Sequence, residues 1–336
     1  MEKTKVTVIS SGGWGTALAI LLAGNGHEVS LWSYTKEEAD AINLNRENKP
    51  FLPGIVLPAS VNATNNCEEA VSGAEFIVST TPSKFVRGIM QKFAPFLDER
   101  HTIINASKGL EEETLLRLSE VIGEVCPKSK LAVLSGPSHA EEVAKWIPTT
   151  CVAASSNEDA ANRVQSLFMS PVFRVYSSLD MAGVELGGAL KNIIALAAGI
   201  SDGMGYGDNT KAALMTRGIA EISRLGVKMG AQLITFSGLA GIGDLIVTCT
   251  SMHSRNRRAG IMLGQGRSLS ETLKEVGAVV EGVNTARAAK LMAEKYNVQM
   301  PIIFEINKAL FEGKDPKQVV NDLMTRDKTT EYGVNL

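Results

Sequence analysis

The chain has 336 residues, 44% of them hydrophobic and 21% charged, with a formal charge of −2. That length suits two domains rather than one core, and a near-neutral balance with only small basic clusters argues against nucleic-acid binding as the main activity. No apolar run reads as long enough to span a bilayer, so membrane insertion is not expected. Residues Met1–Lys5 lead straight into an apolar run, so no secretory signal is expected either. The four cysteines, Cys67, Cys126, Cys151 and Cys249, are widely spaced and fit neither C-x-x-C nor a zinc ladder. They read as reduced, partly buried thiols of a cytoplasmic protein without a metal site.

The chain opens with a buried strand, Val6–Ile9, then Ser10-Ser11-Gly12-Gly13-Trp14-Gly15, then a helix with apolar Leu18, Leu21 and Leu22, then a second strand over Glu28–Trp32. Strand, glycine-rich turn, helix and strand in that order are the start of a dinucleotide-binding unit. The helix N-terminus offers unpaired N–H groups and a positive dipole end to a pyrophosphate. The fingerprint is imperfect, because Ser10 stands where the tight turn favours glycine. At the end of the second strand, Ser33-Tyr34-Thr35-Lys36 contains no carboxylate to hold the ribose of NAD. Ser33, Thr35 and Lys36 could meet the extra phosphate of NADP, which makes NADP the preferred cofactor. Glu37 and Glu38, read as the start of a helix, keep NAD open.

Residues 43–54, rich in proline and polar groups, read as a surface connection over the sheet edge. Strands are expected at Val61–Thr64, Phe76–Ser79, Thr102–Asn105, Leu131–Leu134, Cys151–Ala154 and Val172–Tyr176, with helices at 67–71, 83–93, 111–123 and 159–168. Lys108 follows one strand end beside Gly109, where it is either a solvated loop lysine or a ligand contact. Gly136-Pro-Ser138-His139-Ala140 repeats the pattern of strand, turn and helix start, with Ser138 capping the helix or holding a ligand oxygen.

From Leu179 the strands vanish and alanine, glycine, leucine and methionine dominate. The expected fold is an α/β N-terminal Rossmann-type domain with a mostly parallel sheet, residues 1–185, followed by an all-α C-terminal domain, residues 186–336. Lys191 lies in an apolar helix over 186–198, where burying an ammonium is costly unless it is paired or meets water; snorkelling is the plainer account. Asp244 sits in apolar surroundings, and Ser254-Arg255-Asn256-Arg257-Arg258 is a cluster that suits a single anion such as a phosphate. The tail, residues 327–336, reads as surface-bound.

Taken together, these motifs resemble the bacterial-type NAD(P)-dependent glycerol-3-phosphate dehydrogenases over roughly residues 5 to 325. The resemblance rests on Gly12-Gly-Trp14-Gly15-Thr-Ala, Phe51-Leu-Pro-Gly54, Ser107-Lys108-Gly109, Ser135-Gly-Pro-Ser138 and Gly187-Gly-Ala-Leu-Lys191-Asn192. It continues through Gly207-Asp-Asn-Thr-Lys-Ala-Ala, Gly241-Ile-Gly-Asp244-Leu, Ser254-Arg255-Asn256 and Val280-Glu281-Gly282. It implies interconversion of sn-glycerol 3-phosphate and dihydroxyacetone phosphate, mainly in the reducing direction for glycerophospholipid synthesis.

Carried over by position, the resemblance makes Lys191 the proton-transferring residue, with Lys108 between cofactor and substrate and Asp244 beside the reacting oxygen. Gly136, Ser138, Asn192, Ser254, Arg255 and Asn256 become substrate contacts. Ser11, Gly12, Gly13, Trp14, Ser33, Tyr34, Lys108, Ala140, Arg255, Val279 and Glu281 become cofactor contacts. Tyr34 stands where many relatives carry an arginine, which leaves Ser33, Lys36 or Arg46 to meet an NADP phosphate. The implied partners are one small phosphorylated three-carbon substrate and, permitted by the small-residue second half, a second copy of the chain. Two other readings compete: a β-hydroxyacid or 6-phosphogluconate-type dehydrogenase, which takes a carboxylate substrate, and a nucleotide-binding protein without turnover, favoured only by Ser10.

Overall fold

The computed structural model of the protein describes residues 3–331, so the part of the expected surface tail at 332–336 lies outside the described residues. The chain divides into two compact units, Met1–Glu111 with Leu116–Glu185, and Glu112–Leu115 with Leu186–Leu336.

Among the described residues the first unit contains ten strands: β1 Lys5–Ile9, β2 Glu28–Trp32, β3 Glu47–Asn48, β4 Leu52–Val56, β5 Val61–Thr64, β6 Ala74–Ser79, β7 Thr102–Asn105, β8 Lys130–Ser135, β9 Thr149–Ala154 and β10 Phe173–Ser178. Eight of them form one sheet in the order β10-β9-β8-β7-β6-β1-β2-β5. Neighbouring strands are parallel throughout, except that β8 and β9 pair antiparallel. Its helices are α1 Gly13–Gly24, α2 Lys36–Asn45, α3 Cys67–Val71, α4 Val86–Phe93, α5 Leu118–Val125, α6 Ala140–Val143 and α7 Glu158–Phe168. Both faces of the sheet are covered, which is why its central strands read as unbroken apolar runs. Val6, Val8, Phe76, Val78 and Ile104 join one core with Leu18 and Leu22 of α1. Ile9, Ile77 and Ile103 point the other way, into a second core with Val86, Met90 and Phe93 of α4. Strand order reverses direction at β1, with β2 on one side and β6 on the other, so the connections diverge there and leave a crevice at the strand ends.

The turn from β1 into α1 passes through Ser10 at φ +85°, a left-handed conformation in a residue that carries a Cβ. A Cβ on Gly15 would lie 2.0 Å from the Ser10 carbonyl oxygen, so the helix rests directly on this turn. Ser10→Gly should remove strain of about 1–2 kcal/mol, offset in part by about 0.5–1 kcal/mol of added chain entropy when unfolded. The expected result is a melting temperature raised by about 1–3 °C. An unchanged or lowered midpoint in a thermal melt would show that the serine side chain contributes more than its backbone conformation costs.

Two expectations are corrected in this unit. Residues 43–54 are not a plain surface connection: β3 and β4 form an antiparallel pair. Buried Asn48 donates to the Ser11 carbonyl at 2.6 Å and to Thr16 Oγ1 at 2.7 Å, bracing the turn and the first turn of α1. The expected helix over 111–123 begins only at Leu118. Before it, Leu110 bridges Arg117, the Glu111 amide donates to the Leu116 carbonyl at 3.0 Å, and Leu115 has φ +62°. A fork from Arg87 to the Glu111 carboxylate, at 2.9 and 2.7 Å, holds that loop.

The second unit is helical: α8 Met181–Gly203, which starts just inside the first unit, then α9 Asp208–Lys228, α10 Asp244–Thr250, α11 Arg255–Gly264, α12 Leu269–Val276, α13 Glu281–Lys295, α14 Pro301–Phe311 and α15 Pro316–Met324. Contrary to the expectation of no such run, α8 is long and apolar enough to cross a membrane by length and composition, but its most apolar stretch of 18 residues is buried, as in a core helix. Helices α8 and α11 meet backbone to backbone. A Cβ on Gly199 would lie 2.1 Å from the Arg257 carbonyl oxygen, and one on Gly260 would lie 2.1 Å from that of Leu196. One turn further, a Cβ on Gly203 would lie 2.2 Å from the Ile261 carbonyl oxygen, and one on Gly264 would lie 2.3 Å from that of Ile200. Small residues four apart on both helices permit this approach.

Candidate active site

In the first unit the sequence motifs gather at strand ends. Helix α1 starts from Gly12 with no side-chain cap and no acidic residue in its first turn, so its leading N–H groups are left for an anion. Space beside Gly12 is open, with only Ser10 Oγ at 4.0 Å from a notional Cβ, while a Cβ on Gly13 would strike the Phe51 carbonyl at 2.9 Å and approach Ala140 at 3.9 Å. Trp14 is anchored by its indole N–H, which donates to the Ala106 carbonyl at 3.1 Å after β7. These features fit a dinucleotide pyrophosphate. Lys108, half-buried after β7, donates to the Gly136 carbonyl at 3.0 Å, and Ser138 Oγ donates to the same oxygen at 3.0 Å. Lys108, Gly136 and Ser138 therefore form one cluster, and of the two alternatives for Ser138 the capping one is not seen: His139 occupies the cap position of α6 and makes no capping hydrogen bond.

At the tip of β2, the Ser33 hydroxyl is buried without a hydrogen-bond partner among the described residues, whereas Tyr34 is 65% exposed. Thr35 caps α2 in a reciprocal box with Glu38, and Lys36 pairs with Asp40 at 2.6 Å. Arg46 donates to the carbonyls of Val61 at 2.9 Å, Leu57 at 3.4 Å and Pro58, so its guanidinium is spent on the chain itself.

In the second unit, Lys191 and Asp244 are 4% and 1% exposed and form an ion pair at 2.9 Å. The ammonium also donates to Thr248 Oγ1, and that hydroxyl donates to the Asp244 carbonyl at 2.6 Å. Close approach of two backbones makes the pair possible: a Cβ on Gly187, one turn before Lys191, would lie 2.4 Å from the Ala240 carbonyl oxygen. Ala240 belongs to a π-helical turn, Leu239–Gly243, that leads into α10 at Asp244. Cys249 lies beside this pair, but burial pushes its thiol up to about 12, so it is no thiolate nucleophile.

Asn192 follows on α8. Its Oδ1 accepts from Asn256 Nδ2 at 2.9 Å, and Asn256 Oδ1 accepts from the Gly282 N–H at 2.8 Å. Both ends of the Asn256 amide thus tie α8 and α13 to α11, and Val279 and Glu281 lie at this same junction, ahead of and at the start of α13. Ser254 caps α11 by accepting from the Arg257 N–H at 3.2 Å, leaving Arg255 at the first helical position, exposed and without an ion pair among the described residues. The basic cluster divides: Arg257 pairs with Asp202 at 2.7 Å, and Lys211 holds the same carboxylate at 2.8 Å. A helix N-terminus with an outward arginine suits a phosphate. Among the described residues no group of three or more His, Cys, Asp or Glu side chains converges to hold a metal ion.

Family models for the N-terminus and the C-terminus of NAD-dependent glycerol-3-phosphate dehydrogenase match residues 5–161 and 180–321. The chain belongs to the NAD-dependent glycerol-3-phosphate dehydrogenase family. A glycerol-3-phosphate dehydrogenase (NAD(P)+) of Fusobacterium nucleatum is 55% identical over 329 residues, covering 97% of this chain and 98% of that one. One from Pelotomaculum thermopropionicum is 56% identical over 330 residues, with 97% and 95% covered. Among solved structures, a glycerol-3-phosphate dehydrogenase of Coxiella burnetii superposes with a TM-score of 0.93 at 37% identity, covering 96% of this chain and 99% of that one.

Two features of this member of the glycerol-3-phosphate dehydrogenase family escaped the sequence reading. Thr248 completes the Lys191–Asp244 group; its spacing of four from Asp244 on one helix was the available signal. Glu185 is buried and accepts from Arg117 at 2.8 Å, from the Ser119 N–H at 2.9 Å and from Asn105 at 3.1 Å. Burial pushes its pKa up, while Arg117, Ser119 and Asn105 oppose the shift. It joins the end of β7 to the start of α5.

Proposed function

We propose that this protein catalyses the reversible NAD(P)-dependent interconversion of sn-glycerol 3-phosphate and dihydroxyacetone phosphate, mainly reducing the ketone to supply the glycerophospholipid backbone. The observation that carries the reading is the buried Lys191–Asp244–Thr248 group, in a chain whose two halves both match the family. We assign dinucleotide binding to residues 1–185 and substrate binding and proton transfer to residues 186–336.

When bound, the nicotinamide supplies or takes the hydride; the chain supplies position and charge. As the ketone is reduced, its oxygen gains negative charge, which the Lys191 ammonium stabilises and then neutralises by giving up a proton. In the opposite direction the neutral amine accepts that proton from the alcohol. Asp244 and Thr248 hold the amine in place. Lys108, held by the Gly136 carbonyl, adds positive charge toward the substrate, with Gly136 and Ser138 lining its approach. Arg255 and the α11 N-terminus bind the phosphate, while Asn192 and Asn256 hold α8 and α11 in register. Ser11 to Trp14, Ser33, Tyr34, Ala140, Val279 and Glu281 complete the cofactor contacts, and NADP is the preferred dinucleotide.

Initial rates with dihydroxyacetone phosphate, taken with NADPH and with NADH over matched concentrations, test this reading. Turnover with the phosphorylated ketone and none with 2-keto or β-keto acids is the expected result. Turnover restricted to a carboxylate substrate, or dinucleotide binding without any turnover, would overturn it. A homodimer and a cytoplasmic location belong to the same proposal and are checked by sedimentation and by fractionation.

A further inference from the structure

We infer that Lys92, stacked on Tyr34, is the cation that recognises the additional ribose phosphate of NADP. The inference rests on the reading above that residues 1–185 hold NAD(P), and it names a residue no motif pointed to.

In dinucleotide-binding units the tip of the second strand meets the adenine ribose: a carboxylate there holds the free hydroxyls of NAD, and a nearby cation accommodates the phosphate of NADP. Here the tip follows β2; the Ser33 hydroxyl is buried there, and Thr35, Lys36, Glu38 and Arg46 are engaged elsewhere. Glu38, one of the two carboxylates that keep NAD open, accepts from the Thr35 N–H at 3.5 Å and is locked in the α2 cap. Thr35 Oγ1 accepts from the Glu38 N–H at 3.2 Å in the same cap. Lys36 pairs with Asp40, and Arg46 is consumed by backbone carbonyls.

Lys92, on the last turn of α4, differs from these. Its ammonium lies 4.7 Å from the centroid of the Tyr34 ring. It is exposed and makes no ion pair among the described residues. The ring beneath it is braced on one side by an anchored neighbour: Trp32 meets Tyr34 edge-on at 6.2 Å and Phe93 at 5.3 Å, and the Trp32 indole N–H donates to the Asn65 carbonyl at 3.1 Å. A cation over an aromatic face is held by the ring's quadrupole, which leaves the N–H donors turned away from the ring available. The ammonium is thus stationed at the β2 tip with donors available to a phosphate. An aromatic residue at position 34 then serves as the seat for a charge delivered from another helix.

The test is calorimetric binding of NADP+ and NAD+ to the full chain, wild type against Lys92→Gln and Lys92→Arg, at two salt concentrations. Because Lys92 is exposed, both variants should melt as the wild type does. Lys92→Gln should weaken NADP+ by about tenfold, equivalent to ~1.4 kcal/mol, and flatten its salt dependence. NAD+ lacks the group concerned and should change by less than about twofold, a ratio worth only ~0.4 kcal/mol. Lys92→Arg should retain NADP+ affinity. If both dinucleotides weaken alike, or neither does, the assignment to Lys92 is overturned while the cofactor reading stands. A wild-type chain that binds neither dinucleotide overturns both.

Discussion

Lys191→Met should lower turnover by about 10²–10⁴-fold, the range that positioned acid–base catalysis supplies, with cofactor affinity nearly unchanged. The same substitution leaves the Asp244 carboxylate, 1% exposed, without its partner. Breaking a buried pair in this way costs roughly 3–5 kcal/mol, so a fall in melting temperature should accompany the loss of activity. A double variant, Lys191→Met with Asp244→Asn, separates the two effects. Removing the stranded charge should restore most of the thermal stability and none of the turnover. Single-turnover rates and melting curves on the three proteins check this. Turnover that recovers together with stability would reduce Lys191 to a structural role.

Arg255→Ala should raise the KM for dihydroxyacetone phosphate by about 10- to 150-fold, which corresponds to one lost charge-assisted hydrogen bond of about 1.5–3 kcal/mol. Unphosphorylated dihydroxyacetone, which lacks the group Arg255 would hold, should be affected by less than about threefold, or ~0.7 kcal/mol. Arg255 is exposed at the start of α11 and makes no ion pair among the described residues, so truncation leaves no buried charge behind. Arg255→Lys should recover part of the affinity, because an ammonium keeps the charge but loses the planar fork. Equal losses for both ketones, measured by steady-state rates, would remove the phosphate from Arg255.

Much of the architecture was legible because apolar runs and turn residues agree locally. Strands Glu28–Trp32, Val61–Thr64 and Thr102–Asn105 lie where expected, residue for residue. The N-terminal Rossmann-type sheet and the all-helical second half follow the expected order. Failures occurred where distant partners overrode local preference. Glu111-Glu-Glu reads as an acidic helix start, yet Arg87 and the Leu110–Arg117 bridge hold that stretch as a loop. A two-residue strand at Glu47–Asn48 has no periodicity to detect, and the reach of Asn48 to the Ser11 turn is a tertiary fact.

The candidate site divides along the same line. A lysine within an apolar helix advertises its own desolvation cost, so Lys191 stood out, and Asp244 in apolar surroundings was its natural counterpart. Thr248 gave no such sign, since a threonine on a helix is ordinary. Lys92 reads in sequence as one more solvated lysine; only the ring beneath it distinguishes it. Conversely, Asn256 looked like a phosphate ligand by its neighbours, and its amide is engaged in joining three helices.

The glycine pairs of α8 and α11 bear on how this protein can be altered. Gly199 and Gly203 leave no room for a methyl group against Gly260 and Gly264. The helix that carries Lys191 and the helix that starts at Arg255 are therefore spaced by main-chain contact alone, like two rails bolted without a washer. Any side chain inserted there would drive the rails apart and displace Arg255 from Lys191 without touching either. Attempts to widen the range of ketones accepted have to leave those four positions alone and work on the groups the rails present.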